Sequence, residues 1–273
     1  MIDLHLHTTA SDGRLPPGEL VDLAAASGLR VIAVTDHDTT GAVADVQAHA
    51  RAKGIDAIAG IEITAVLDGR DVHMLAYFVD IDDAAFQQFL SAQRAARVTR
   101  LEAMGQRLAE LGVPVRLEAA LALGRQQTSV SVGRPHAARA LVAAGHVKDQ
   151  REAFDRWLGH GRPGFVPRVG RQPADVMPIV HAAQGLISLA HPGRTQIDEQ
   201  LPGLRDAGLD AIEVYHSDHD EAATVRYGAL ARELGLLMTG GSDFHAPGSA
   251  VRPGSVTLPW PHWDRLLARR RTS

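Results

Sequence analysis

The 273-residue chain contains no cysteine, and only two of its 28 basic residues, Lys53 and Lys148, are lysines. Without cysteine, disulfides and thiolate metal sites are excluded, so any metal must be held by nitrogen and oxygen. The net charge of −4 leaves no strong footprint for duplex nucleic acid. No apolar run approaches the roughly 20 residues of a membrane-spanning helix. The opening Met1-Ile2-Asp3-Leu4-His5 has neither the basic nor the apolar stretch of a leader. The expectation is a cytoplasmic protein with no membrane contact, and no protein partner is evident. The length suits one large α/β domain with a small insertion.

What the chain does have is histidine, 14 of them. It also has a regular alternation of short apolar strands and amphipathic helices, the pattern of a parallel α/β sheet or barrel. Ile2, Leu4 and Leu6 alternate with Asp3, His5 and His7, which predicts a first strand. Pro16-Pro17 opens a helix ending near Gly28, and Val31–Thr35 reads as a second strand. Thr40 is placed to cap a helix closed by Gly54. Ile58–Thr64 and Val72–Val79 read as strands separated by a turn at Asp68-Gly69. A long helix is expected from about Asp83 to Leu111, followed by mostly helical sequence to Arg162. Further strands are expected at Gly185–Ala190, Ala211–Tyr215 and Leu236–Thr239, with Val256–Pro259 as one more. Arg269-Arg270-Arg271 reads as a frayed tail.

Metal-capable side chains stand at nearly every strand end: His5 and His7, then Asp12; Asp36-His37-Asp38; Glu62; His73; His191; Asp243 and His245. Barrel strands bring such ends to one face. His5 and His7 point the same way on a strand, roughly 6–7 Å apart, and can grip one ion together. A carboxylate such as Glu62 can bridge two ions with its two oxygens. Imidazole with carboxylate suits manganese, iron or zinc. Taken singly, each feature has a plainer reading. A lone His-x-His pair on a strand is more often structural, and an Asp at a helix start is usually a cap. Six sites in register with the strand rhythm point instead to a metal cluster. His49, His146, His181 and His262 fall on or beside helices and read as ordinary surface residues.

His5-Leu6-His7-Thr8 with Ser11-Asp12-Gly13, Thr35-Asp36-His37-Asp38, Gly60-Ile61-Glu62, His73, Ala190-His191-Pro192 and Gly241-Ser242-Asp243-Phe244-His245 occur in order. This set resembles the motifs of the PHP (polymerase and histidinol phosphatase) phosphoesterases from residue 1 to about 250. The resemblance implies a distorted (β/α)7 TIM-like barrel with a trinuclear metal centre. The barrel would comprise residues 1–99 and 166–273, with a helical insertion over 100–165 that contributes to substrate binding. The resemblance implies that His5, His7, Glu62 and Asp243 hold one ion. Glu62, His73 and His191 would hold a second, and Asp12, His37 and His245 a third. Asp12 stands where other members place a histidine, which implies a more oxygen-rich third site.

Within that family, Gly133-Arg134-Pro135-His136, Trp157–Pro163 and His191-Pro192-Gly193-Arg194 resemble a particular branch. Its members remove the 3′-phosphate of nucleoside 3′,5′-bisphosphates and degrade short 5′-phosphorylated RNA from the 5′ end. His160 stands where relatives carry a basic residue, which leaves that position's role open. Arg134 lies at a predicted helix start, where backbone N–H groups already favour anions. It is expected to bind substrate phosphate together with His136 and Arg194. The expected cofactor is Mn2+, two to three ions, with Fe2+ or Zn2+ as substitutes. The expected partner is a small nucleotide, or short single-stranded RNA or DNA with a 5′-phosphate. Hydrolysis of this kind calls on a water activated between two close metals rather than on a side-chain nucleophile. The general acid is left open between His216, from its place at a strand end, and a metal-bound water. Histidinol phosphate is the runner-up substrate. A C–N amidohydrolase is disfavoured because neither lysine falls on a barrel strand, and a non-catalytic sensor because the ligand set is complete.

Overall fold

A computed structural model describes residues 1–270. The chain runs β1 (Ile2–Leu6), α1 (Pro17–Ala26), β2 (Val31–Val34), α2 (Val43–Ala52), β3 (Asp56–Leu67), β4 (Arg70–Tyr77) and α3 (Ala84–Glu110). Then come α4 (Glu118–Gln126), α5 (Arg134–Ala143), α6 (Gln150–Ala153) with a π-helical turn at Phe154–Leu158, and α7 (Pro173–Ala182). The last third holds β5 (Leu186–Leu189), α8 (Pro192–Thr195), α9 (Leu201–Asp206), β6 (Ala211–His216), α10 (Glu221–Leu234), β7 (Leu237–Gly241) and α11 (Trp260–Arg269).

The seven strands hydrogen-bond in chain order. Beyond β7 the chain returns to β1: Asp243 N–H donates to His5 O at 2.8 Å, and His7 N–H to Phe244 O at 3.0 Å. A Cβ on Gly241 would run into the backbone of His5, so only glycine permits this approach. The result is a nearly closed seven-stranded barrel, as expected.

Its strands are not all parallel, which departs from the parallel pattern expected. β3 pairs with β4, and β4 with β5, in antiparallel register. The cause is the two-residue Asp68-Gly69 turn, with φ of 50° and 74°. Positive φ at both positions makes the tight hairpin that Asp-Gly favours, and a connection this short cannot join parallel strands. The reversal matters for the site. His73 lies near the start of β4, opposite Thr64, and therefore reaches the same mouth as the C-terminal ends of the parallel strands.

Helices α7, α9 and α10 bury Val176, Leu204 and Ala231 against Ile63, Met74, Ile187 and Ile212 of the strands. α1 and α2 bury Leu20, Val21 and Val46 against Leu6 and Ile32. Thr40 does not cap α2, which starts at Val43. Its hydroxyl instead accepts from Gln87 of α3 at 2.9 Å. α3 is capped by Asp83, whose carboxylate accepts from Phe86 N–H. Its first half buries Phe86, Phe89 and Leu90 in the barrel-side core. Its second half buries Val98, Leu101 and Leu108 in a separate core with α4, α5 and the π turn. The expected strand at Val256–Pro259 does not form. Pro253 and Pro259 have no N–H to give, and Leu258 N–H to Ile2 O, at 3.0 Å, is the link to β1. Arg269 ends α11, and Arg271 of the expected tail lies outside the described residues. Among the described residues no helix is long and apolar enough to cross a membrane.

Candidate metal centre

The ligand-capable side chains named from the sequence meet at one mouth of the barrel, around Glu62. This carboxylate is buried mid-way along β3. Its Oε1 lies 2.7 Å from His73 Nδ1 and 3.1 Å from His191 Nε2. Its Oε2 lies 3.0 Å from His37 Nδ1, 3.4 Å from His7 Nε2 and 3.5 Å from His5 Nε2. Asp243 Oδ1 stands 3.3 Å from His5 Nε2 and 3.2 Å from His7 Nε2. Asp12 gathers a further set, with His37 Nε2 and His245 Nε2 each at 3.4 Å and His7 Nδ1 at 3.6 Å. Two ligands at about 2.1 Å from one tetrahedral or octahedral ion stand about 3–3.5 Å apart, and most of these spacings fit atoms that could share a cation.

The polar atoms also fit cations better than they fit one another. His5 Nε2, both ring nitrogens of His7, His37 Nδ1, His191 Nδ1 and Glu62 Oε2 are buried without a hydrogen-bond partner. Buried polar atoms left in this state are costly, and cations set among them would engage one nitrogen of a ring and the free Glu62 oxygen. The groups that converge tightly enough for one ion are His7, Asp12, His37 and His245; His5, His216 and Asp243; His5, His7 and Glu62; and His37, Glu62 and His73.

The electrostatics agree. Burial pushes the Glu62 carboxyl up, but His37, His73 and His5 hold it well below the usual range. Burial acts likewise on Asp12, and His245 and His37 hold it well below. Conversely, burial lowers His37, yet Glu62 and Asp12 raise it to about 10. Asp12 and Asp243 raise His245 against its own burial to about 9. Glu62 and Asp12 are thus held ionised, and His37 and His245 hold protons that a divalent cation would displace, whereas burial keeps the rings of His7 and His191 below their ordinary range.

Behind these side chains sits a supporting layer. Glu213, buried on β6, accepts from His5 Nδ1 at 2.8 Å and from the His191 backbone N–H at 2.7 Å. His216, at the end of β6, approaches Asp243 Oδ2 to 3.3 Å, which puts it among the ligand-capable residues. His219 braces α8 by accepting from Gly193 N–H at 3.1 Å. His191 and Asp243 have positive φ, 29° and 57°, a strained backbone held by its surroundings. The sequence signal for Glu213 was the one that marked Glu62, a charge in the middle of an apolar strand.

Not every strand-end carboxylate joins the cluster. Asp36 accepts from Thr8 N–H, Thr8 Oγ1 and Ser11 Oγ and so holds the loop after β1. Asp38 accepts from Arg97 Nε at 2.5 Å, Arg168 Nη2 at 3.0 Å and Thr64 N–H at 2.9 Å. Asp71 takes Arg100 Nη1 at 2.7 Å and Arg134 Nη2 at 3.0 Å on one oxygen. Burial raises Asp71, but Arg134 and Arg100 bring it down to about 2.

These arginines wall a cavity of about 410 Å3 that opens over Glu62, His73 and His191. Arg97, Arg100, Arg134, Arg139, Arg168 and Arg194 all reach it. Of the phosphate-binding residues expected from the sequence, Arg134 opens α5 and sits between the rings of Phe154 and Phe165, 5.9 Å from each centroid. Arg194 pairs with Asp218 and reaches Asp243 at 3.4 Å. His136 turns back on its own helix, where Nδ1 accepts from Gly133 N–H at 3.2 Å, and it stands outside the cavity wall. Burial and Arg139 lower its ring to about 4, so it is neutral. Arg97, Arg100, Arg139 and Arg168 were not singled out in the sequence. The signal for Arg97 and Arg100 was the row Arg94, Arg97 and Arg100 at intervals of three along α3; Arg139 and Arg168 carried none.

Comparison with known proteins agrees with this geometry. Residues 3–115 match the model of the PHP domain. The chain is 34% identical to a 3′,5′-nucleoside bisphosphate phosphatase of Chromobacterium violaceum, covering 98% of this chain and 97% of the relative. It is 31% identical to the 5′-3′ exoribonuclease Rnm of Escherichia coli, covering 96% and 94%. A crystal structure from Bifidobacterium adolescentis, assigned as a metal-dependent phosphoesterase, superposes with a TM-score of 0.90 at 32% identity, covering 99% of this chain and 96% of that one. An amidohydrolase structure from Chromobacterium violaceum superposes with a TM-score of 0.88 at 34% identity, covering 98% and 96%. With its ordered His, Asp and Glu motifs converging on one barrel mouth, and with relatives of this similarity along nearly its whole length, the chain belongs to the PHP-domain family.

Proposed function

We propose that the protein is a metal-dependent phosphoesterase that removes the 3′-phosphate of nucleoside 3′,5′-bisphosphates. By the same step it would cleave the first linkage of short single-stranded RNA or DNA carrying a 5′-phosphate. The observation that carries this reading is the meeting of two anion-handling features in one cavity. The His and carboxylate cluster lies at its floor, and the arginines that answer Asp38 and Asp71 line its wall. The relatives named as a 3′,5′-nucleoside bisphosphate phosphatase and a 5′-3′ exoribonuclease support it.

The ligand assignment we propose keeps His5, His7, Glu62 and Asp243 for one ion. It keeps Glu62, His73 and His191 for a second, and Asp12, His37 and His245 for a third, with His216 as an added ligand beside His5 and Asp243. Manganese is the proposed resident metal, since the set is all imidazole and carboxylate. Bound divalent ions supply Lewis-acid polarisation of the phosphoryl oxygens and a water acidified to ionise near neutral pH. The chain's own residues hold and aim. Glu213 fixes the ring of His5 and the backbone of His191. We propose residues 100–165 as a cap on the barrel of 1–99 and 166–273. From it Arg134, flanked by two aromatic rings and anchored on Asp71, presents its remaining N–H groups to the 5′-phosphate. Arg194 serves the phosphate at the metals, and His136 shapes the loop that carries Arg134.

The test is a comparison of kcat/KM for a nucleoside 3′,5′-bisphosphate, the matching 3′-monophosphate and histidinol phosphate at one manganese concentration. The bisphosphate is expected to lead clearly. Equal rates on the bisphosphate and the 3′-monophosphate would mean that the 5′-phosphate is not read. A lead for histidinol phosphate would overturn the substrate assignment.

A further inference from the structure

Beside the arginine-walled cavity lies a second one of about 460 Å3. The two share Asp71, His73, Arg134, His191 and Arg194, so they meet at the metal-ligand candidates around Glu62 Oε1. The outer wall of the second is different. It holds Arg70, just past the Asp68-Gly69 turn, and His160 and Phe165 in the segment after the π turn, with Val72, Thr195 and Ile197 completing it. The rings of His160 and Phe165 stand 5.2 Å apart at 59°. His160 is exposed and Phe165 half-buried. The one carboxylate in this wall, Asp71, is already engaged by Arg100 and Arg134. The space therefore offers arginines beside one exposed imidazole face, which is the chemistry that tracks a sugar–phosphate backbone and stacks a base. Its volume lies within the roughly 300–1,000 Å3 of small-molecule sites.

We infer that this second cavity is a subsite for the nucleotide on the 3′ side of the scissile linkage, with the exposed ring of His160, packed against Phe165, as its base platform and Arg70 facing its backbone. The inference rests on the function proposed above and adds where an oligonucleotide goes. In either substrate, water adds to phosphorus, the P–O3′ bond breaks, and O3′ of the first nucleoside ends with a proton. From a bisphosphate the phosphoryl group leaves as inorganic phosphate. From an oligonucleotide it remains on O5′ of the second nucleotide. That nucleotide stays joined to the phosphorus and needs room across the metal ligands from the first. The second cavity offers this room, bounded on the near side by His73 and His191. The shortened chain then carries a 5′-phosphate of its own, ready for the next round. A mononucleoside bisphosphate needs none of this space.

The prediction is a split between substrates. With Mn2+ present, kcat/KM is measured for adenosine 3′,5′-bisphosphate and for 5′-phosphorylated diadenylate in the wild type, His160→Ala, His160→Phe and Arg70→Ala. His160→Ala should lose about tenfold on the dinucleotide, the scale of one base–aromatic stack. His160→Phe should restore most of that loss, and Arg70→Ala should reduce the dinucleotide rate alone. The bisphosphate rate should stay within about twofold throughout, because none of these side chains borders the first cavity. Equal losses on both substrates, or no loss on the dinucleotide, would overturn the subsite. A wild type that cleaves the bisphosphate and not the dinucleotide would overturn the subsite and leave the phosphatase reading standing. A wild type inactive on both would overturn the two together.

Discussion

Two sets of buried carboxylates lie within one active-site region and keep different company. The charged partners of Glu62 and Asp12 are imidazoles: His5, His7, His37, His73 and His191 around the first, His7, His37 and His245 around the second. Asp38 and Asp71 are met by guanidinium groups, Arg97 and Arg168 on one and Arg100 and Arg134 on the other. An imidazole can give up its proton and turn its lone pair to a metal, whereas a guanidinium stays protonated at any working pH. The first set is therefore exchangeable, with protons or ions neutralising the same carboxylates. The second is permanent. It ties α3 and the chain near Arg168 to the loop after His37 and leaves surplus positive charge facing the cavity. Of two carboxylates flanking His37 in sequence, neither joins the ligand-capable groups, because what surrounds an acid decides its work.

The largest effect should come from breaking the exchangeable set at its centre. Glu62→Ala removes a carboxylate approached by five histidines, so it should cost two ions per chain and about a thousandfold or more in kcat/KM. Metal analysis and steady-state kinetics on the same preparation would check this, and a variant retaining both metal and activity would refute the bridging role. Breaking the permanent set should act on folding instead. Asp38→Ala strands Arg97 and Arg168 in the interior, and loss of one partner from a buried pair costs about 3–5 kcal/mol. A urea unfolding curve should show that loss, while the folded fraction keeps its metal. An unchanged midpoint would show that the pairs hold nothing.

Arg134→Ala touches the seam between the two sets. Its loss should remove on the order of 2–4 kcal/mol from the transition-state binding of a 3′,5′-bisphosphate, as for a buried charged contact. Hydrolysis of the 3′-monophosphate should change little, and equal losses on both would reassign Arg134 to the metals' own phosphate. The smallest effect is a linkage. His37 and His245 have raised pKa values, about 10 and about 9, and must be neutral to bind an ion. Manganese binding should therefore release protons, and affinity should climb with pH by up to about tenfold per unit for each proton released. Calorimetry in buffers of different ionisation enthalpy would report those protons, and heats independent of buffer would contradict the exchange.

Most ligand-capable residues were legible because they interrupt or end a short apolar run, and such interruptions survive in one dimension. His5, Glu62 and Asp243 declare themselves that way. The hairpin at Asp68-Gly69 was legible as a turn, and its two positive φ values explain why β4 runs backwards and still delivers His73 to the mouth. The arginine network was not legible. Arg97 meets Asp38 across 59 residues and Arg168 meets it across 130, through packing that no local pattern encodes. His216 looked like a proton donor from its place at a strand end. Its distance to Asp243, a tertiary fact, brings it to the ligands.

Imidazoles and carboxylates are proposed here to share cations while the arginines do not. Elemental analysis of purified active enzyme, before and after chelation, decides the matter. Two to three transition-metal ions per chain are expected, manganese foremost, with activity lost on chelation and restored by Mn2+. Full activity with one ion or none per chain would refute the shared-cation reading.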